Sequence, residues 1–95
     1  MLEPPGILKT LTGRGLVSAD GCEAVRVRYR ILIERRPEGL VAHGTLNGNH
    51  ARLRPVWLQP DAHLRLKSGR QLDISLTDLV GNEAEFESTG AVPDL

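Results

Sequence analysis

The chain has 95 residues, with 12 Lys or Arg against 12 Asp or Glu, so its formal net charge is zero. A chain this short buries only about two-thirds of its unfolded surface and supports one core, and balanced charge gives no bulk attraction to nucleic acid or to an anionic membrane. An apolar content of 40%, carried by Leu, Val and Ile, argues against disorder, and the lone Cys22 excludes an internal disulfide.

The lead MLEPPG lacks the basic-then-apolar layout of a signal peptide, and no apolar run approaches the roughly 20 residues of a membrane span. A soluble, cytoplasmic, single-domain protein spanning 1–95 is the expectation, with loose ends at 1–7 and 90–95. Alternation at period two recurs along the chain while period 3.6 is hard to find, which predicts an all-β domain. The first strand covers residues 8–18; Gly13 and Gly15 inside it mark a bulge or a close backbone approach. After the turn SADGCE comes the longest strand, residues 24–35, with the alternating stretch VRVRYRILIER. Arg36-Pro37-Glu38-Gly39 has the Pro and Gly placement of a type I turn and reverses the chain into residues 40–46. Asn47-Gly48 is a strong hairpin signal and predicts a further strand over 49–58, ended by Gln59-Pro60. A hairpin around Ser68-Gly69 joins 62–67 to 71–76, with Leu64, Leu66, Leu72, Ile74 and Leu76 on one face. The last strand, 83–88, turns Ala84 and Phe86 one way and Glu83, Glu85 and Glu87 the other; Gly81 and Asn82 weaken a helical reading there. The predicted class is therefore a small antiparallel β-barrel or sandwich of six to seven strands, mainly hairpin connected.

Turn length sets register, and register sets which side chains share a face. A four-residue loop at Pro37 puts Arg35 opposite Leu40, Leu32 opposite His43, Arg30 opposite Thr45 and Tyr29 opposite Leu46. A two-residue loop at Asn47-Gly48 puts Thr45 opposite His50 and His43 opposite Arg52. Together they gather Val27, Tyr29, Ile31, Ile33, Leu40, Ala42, Gly44, Leu46, Ala51, Leu53 and Trp57 on one face. The other face then holds Arg26, Arg28, Arg30, His43, Thr45, His50, Arg52 and Arg54.

Two readings of that basic face compete. It is the wet side of an antiparallel sheet, where arginine stems pack and heads stay solvated. Or it is a binding surface, since guanidinium forks grip carboxylate and phosphate and the histidines add charge in acid. The candidate binding residues are Arg26, Arg28, Arg30, His43, His50 and Arg52. Charge is also split along the chain: every Lys and Arg lies between Lys9 and Arg70, while residues 71–95 hold Asp73, Asp78, Glu83, Glu85, Glu87 and Asp94. The acidic last strand would lie beside or across the basic face, placing Glu83, Glu85 and Glu87 against Arg26, Arg28 and Arg30, or would pair with the basic half of another copy.

Arg26 to Arg30 spells RxxxR and Asp73-Ile74-Ser75 spells DxS, which together resemble the cyclic di-GMP signature of PilZ domains, themselves small β-barrels. That resemblance implies a phosphorylated dinucleotide as ligand. It departs from the family's pattern in two ways: the arginines fall inside the longest strand instead of a flexible segment before the barrel, and Asp78 stands where the family has glycine.

Other chemistry finds little support. Stacking of single-stranded nucleic acid needs exposed aromatics, and the register turns Tyr29 and Trp57 inward. His43, His50, His63 and Asp61 have no diagnostic metal-ligand spacing. Cys22, Ser75 and Thr77 carry no nucleophile signature, and Gly13-Arg14-Gly15 is too short for a phosphate loop. The expectation is a binding module that is not an enzyme and needs no cofactor. Its partner is an acidic protein or another copy of itself; the alternative is a sensor of a small phosphorylated anion such as a cyclic dinucleotide.

Overall fold

Alternation of apolar and charged side chains from Val25 to Ile31 makes residues 25–36 a strand with one buried face, because an extended chain sends successive side chains to opposite faces. In the computed structural model, which describes residues 6–93 and 95, this strand is β2 (Val25–Arg36). It follows β1 (Ile7–Ser18) and precedes β3 (Gly39–Asn47), a helix α1 (His50–Trp57), β4 (Ala62–Arg65), β5 (Gln71–Val80) and β6 (Glu83–Ser88). Neighbouring strands are antiparallel and close into a barrel in the order β1-β2-β3-β6-β5-β4. The chain thus adopts the small antiparallel all-β fold that its alternation predicts, with six strands.

The β2–β3 register is the one the Pro37 turn dictates: Arg35 faces Leu40, Leu32 faces His43, Arg30 faces Thr45 and Tyr29 faces Leu46. Inward side chains from all six strands form one hydrophobic cluster, with Ile31, Leu46, Leu64, Ile74 and Phe86 almost wholly buried. The last strand buries Ala84 and Phe86 and exposes Glu83, Glu85 and Glu87, as its alternation requires.

The strand expected over 49–58 is a helix instead. Asn47-Gly48 makes no tight hairpin; the Gly48 N–H donates to the Asn82 carbonyl at 2.9 Å, tying the end of β3 to the β5–β6 turn. Asn49 then caps α1, its side-chain oxygen accepting from the Arg52 N–H at 3.1 Å. Pro55 costs the helix one backbone bond, that to the Ala51 carbonyl. Packing outweighs that loss, since Leu53 and Val56, three apart on one side, both join the core. On a helix Ala51 and Trp57 turn outward, so neither sits on the apolar face foreseen for them; Leu40, near the β2–β3 turn, is also exposed.

The stretch expected to be a loose C-terminal end returns to the barrel: Val92 and Leu95 pack against the core, and the Lys9 Nζ donates to the Leu95 carbonyl. The loose N-terminal lead falls mostly on residues 1–5, outside those described; Ile7 already belongs to β1.

Gly13 and Gly15 answer to close approach, and the β1 irregularity lies between Ile7 and Lys9 instead. A methyl group on Gly13 would stand 2.6 Å from the Tyr29 hydroxyl, and one on Gly15 would stand 2.2 Å from the Arg65 carbonyl oxygen. The Tyr29 ring therefore lies over the glycine stretch of β1, and its hydroxyl accepts from the Lys67 N–H at 3.2 Å. β1 meets β4 only over Leu16, Val17 and Ser18, so Gly15 sits where this short seam begins. Gly15→Ala is expected to cost at least 1–3 kcal/mol, the usual range of about 1–3 kcal/mol for overpacking, because backbone cannot swing aside. Gly13→Ala should cost less, since a phenol tip can yield. Urea unfolding midpoints of the two variants check the order.

Candidate functional site

Outward positions on β1 and β2 meet across the strand pair, and the register decides which. Arg14 lies directly opposite Arg28, and Leu16 lies opposite Arg26 on one side and Arg65 of β4 on the other. Arg14, Arg26, Arg28 and Arg65 thus surround an open concavity of about 860 Å³ that Leu16 and Asn47 also line. Arg30 continues the row along β2. All five arginines are exposed, and among the described residues none has a carboxylate within 4.0 Å. Like charges placed directly opposite on neighbouring strands destabilise a sheet, so the Arg14–Arg28 pair carries a cost that nothing described in the chain offsets.

Of the residues singled out by sequence, Arg26, Arg28 and Arg30 lie on this wall. His43, Arg52 and His50 do not join it. His43, on β3, is half-buried, and its Nε2 lies 3.0 Å from Glu34 Oε2; Arg36 reaches the same oxygen at 3.5 Å. His50 begins α1, where its backbone N–H donates to Asn82 Oδ1 at 3.1 Å and its ring Nδ1 to the Gly81 carbonyl. Arg52 is exposed on the helix. The face of three strands foreseen across Asn47-Gly48 does not form, because its third strand is α1.

The acidic strand is also placed differently. β6 lies beside β3, so Glu83 faces Asn47, Glu85 faces Thr45 and Glu87 faces His43. On their other side Asn47 and Thr45 face Arg28 and Arg30. The short way round the ring from these arginines to β6 crosses the neutral β3, and the foreseen Arg–Glu cross-strand pairs are not made. The RxxxR arginines and Asp73-Ile74-Ser75 stand on β2 and β5, three places apart in a ring of six strands, so the two halves of the PilZ-like signature look away from each other. Asp73 is held by His63, 2.8 Å between Oδ1 and Nδ1.

Arg14 and Arg65 are the site residues that sequence alone does not find. Arg14 alternates with core positions, which marks it as outward. Its position opposite Arg28 depends on the long SADGCE turn, whose length fixes no register. Arg65 reaches the wall only through closure of β4 on β1, a contact between distant parts of the chain. No three His, Cys, Asp or Glu residues gather to hold a metal among those described, and no described helix is long and apolar enough to cross a membrane.

If Arg14 and Arg28 repel each other, Arg28→Thr should raise stability by about 0.2–1 kcal/mol, the size of one cross-strand pair; chemical denaturation checks it. A second expectation concerns Glu34. The hydrogen bond from His43, followed by that from Arg36, holds its carboxyl below the ordinary value. A carboxyl lowered on folding stabilises the fold above its unfolded pKa, and that contribution fades as pH falls through its folded pKa. His43→Ala should therefore move the Glu34 titration upward and weaken this part of the acid dependence, as carbon-detected NMR titration would read directly. Comparison with protein-family models, curated proteins and solved structures finds no match to the chain.

Proposed function

We propose that this chain is a non-enzymatic binding module whose arginine wall engages an acidic surface on a protein partner. One observation carries the reading: Arg14, Arg26, Arg28 and Arg65 converge on an open concavity, two of them directly opposed, with no described carboxylate in reach. Guanidinium groups form bidentate bonds to carboxylates, and Leu16, 38% exposed between them, offers an apolar contact beside the charges. A surface this open suits a flat or extended partner. Because these charges lie in high dielectric, each contact is weak and salt-sensitive. The half-buried free thiol of Cys22 fits a reducing, cytoplasmic setting.

A second reading keeps the same wall and changes the ligand. A concavity of about 860 Å³ is large enough for a small phosphorylated anion such as a cyclic dinucleotide, and arginine forks suit phosphate equally well. Single-stranded nucleic acid has less in its favour, because no exposed aromatic lines the wall.

NMR titration with a poly-glutamate peptide, with cyclic di-GMP and with a short oligonucleotide separates these ligands. The expected result is a shift of Arg14, Arg26, Arg28 and Arg65 signals with the peptide, weakened about tenfold or more in the Arg26→Thr/Arg28→Thr double variant, since about 1.4 kcal/mol is tenfold. Tight, saturable shifts with cyclic di-GMP alone would move the assignment to the second reading. Shifts with none of the three would remove both.

A further inference from the structure

The wall opposite the arginines is its electrostatic counterpart. β5 and β6 turn Asp73, Asp78, Glu83, Glu85 and Glu87 to solvent, with no Lys or Arg in either strand. Asp78 lies directly opposite Glu85, so this wall carries a like-charge cross-strand pair just as the other does with Arg14 and Arg28. Among the described residues Asp78, Glu83, Glu85 and Glu87 have no cation within 4.0 Å; Asp73 alone has one, His63.

Building on the binding-module reading, we propose that the acidic surface engaged by the arginine wall is the β5–β6 wall of a second copy of this chain. Three features favour that occupant. The two walls have opposite sign on a molecule of zero net charge, so copies attract through their faces without long-range repulsion. Arg26, Arg28 and Arg30 recur at every second residue of β2, and Glu83, Glu85 and Glu87 at every second residue of β6. Both rows therefore repeat at the same spacing of roughly 6.6 Å, which lets several pairs form in one register. Each wall also holds a repelling pair that opposite charge from outside would relieve.

Geometry fixes the kind of assembly. The β1–β2 centre of the arginine wall lies across the ring from β5 and β6, so a two-fold contact of either wall with itself would set like charge against like charge. The contact is instead head to tail, leaving one wall free at each end of every pair. It is also small: three strands at about 4.8 Å spacing, over roughly 20 Å of length, make a footprint of about 300 Å² per partner. That lies in the weak, transient range of interfaces, well below the roughly 800 Å² per partner of a stable one. Association is thus salt-dependent and stepwise.

Sedimentation of the whole chain at about 0.01 M and about 1 M salt, where the Debye length falls from about 30 Å to about 3 Å, gives the first test. Average mass rises with protein concentration at low salt and returns to 10.4 kDa at high salt. Two outward-facing variants, both checked for folding by circular dichroism, give the second. Arg26→Thr/Arg28→Thr/Arg30→Thr removes the β2 row and leaves the acidic wall whole, and Glu83→Gln/Glu85→Gln/Glu87→Gln removes the β6 row and leaves the basic wall whole. Each alone stays monomeric; mixed, they form a 1:1 species of twice the chain mass and nothing larger. A wild type monomeric at low salt, or a mixture that does not pair, overturns the self-association. If the glutamate peptide still binds the arginine wall in that case, the binding-module reading survives its loss.

Discussion

The charge layout of this barrel depends on one constraint, the insertion of β3 between β2 and β6. β3 turns Thr45 and Asn47 outward between the arginines of β2 and the glutamates of β6. The arginines of β2 and the glutamates of β6 are therefore held two strand spacings apart, roughly 10 Å, which is about the Debye length at 0.1 M salt. Arg14 and Arg28, by contrast, are one spacing apart. At that salt the attraction is screened more than the repulsion, and the same holds for Asp78 and Glu85 on the far side. Each such pair costs less than about 1 kcal/mol, which a domain stable by about 5–15 kcal/mol can tolerate. Local cost without local gain is the feature on which the proposed partner surface rests.

The site and the closure of the fold are linked through Gly15. Because it has no side chain, the β4 backbone can approach β1 to within contact of it, and this approach brings Arg65 to the arginine wall beside Leu16. Tyr29 reinforces the same region from inside, its ring over Gly13 and its hydroxyl bonded to the backbone just after β4. The fourth arginine of the concavity is thus a product of barrel closure, and anything that spreads the β1–β4 seam should loosen the site as well as the core.

What sequence reveals here follows the range of the interaction concerned. The β2–β3 pairing is legible because a Pro37 turn of fixed length sits between two alternating strands, and the inward Ala84 and Phe86 are legible from alternation alone. The helix after β3 is not. Asn47-Gly48 carries a hairpin signature, Pro55 argues against a helix interior, and the cap at Asn49 lacks the acidic residue three places later that would advertise it. Only the burial of Leu53 and Val56 at the end of the barrel decides the matter, and burial is a tertiary fact. For the same reason Arg26, Arg28 and Arg30 are found from local pattern, whereas His50 and Arg52 are misplaced by the absent hairpin. Arg14 and Arg65 become neighbours of those arginines only once the ring has closed.

The central claim is that repulsion within each wall outweighs the few ion pairs made among the described residues, Arg36 and His43 with Glu34 and His63 with Asp73. The most direct measurement is the unfolding free energy of the dilute, monomeric chain at neutral pH as salt is raised. Screening should increase stability, because it relieves Arg14 against Arg28 and Asp78 against Glu85 more than it weakens those bridges. A steady loss of stability with salt would mean that the charges of this barrel hold it together, and would contradict the account.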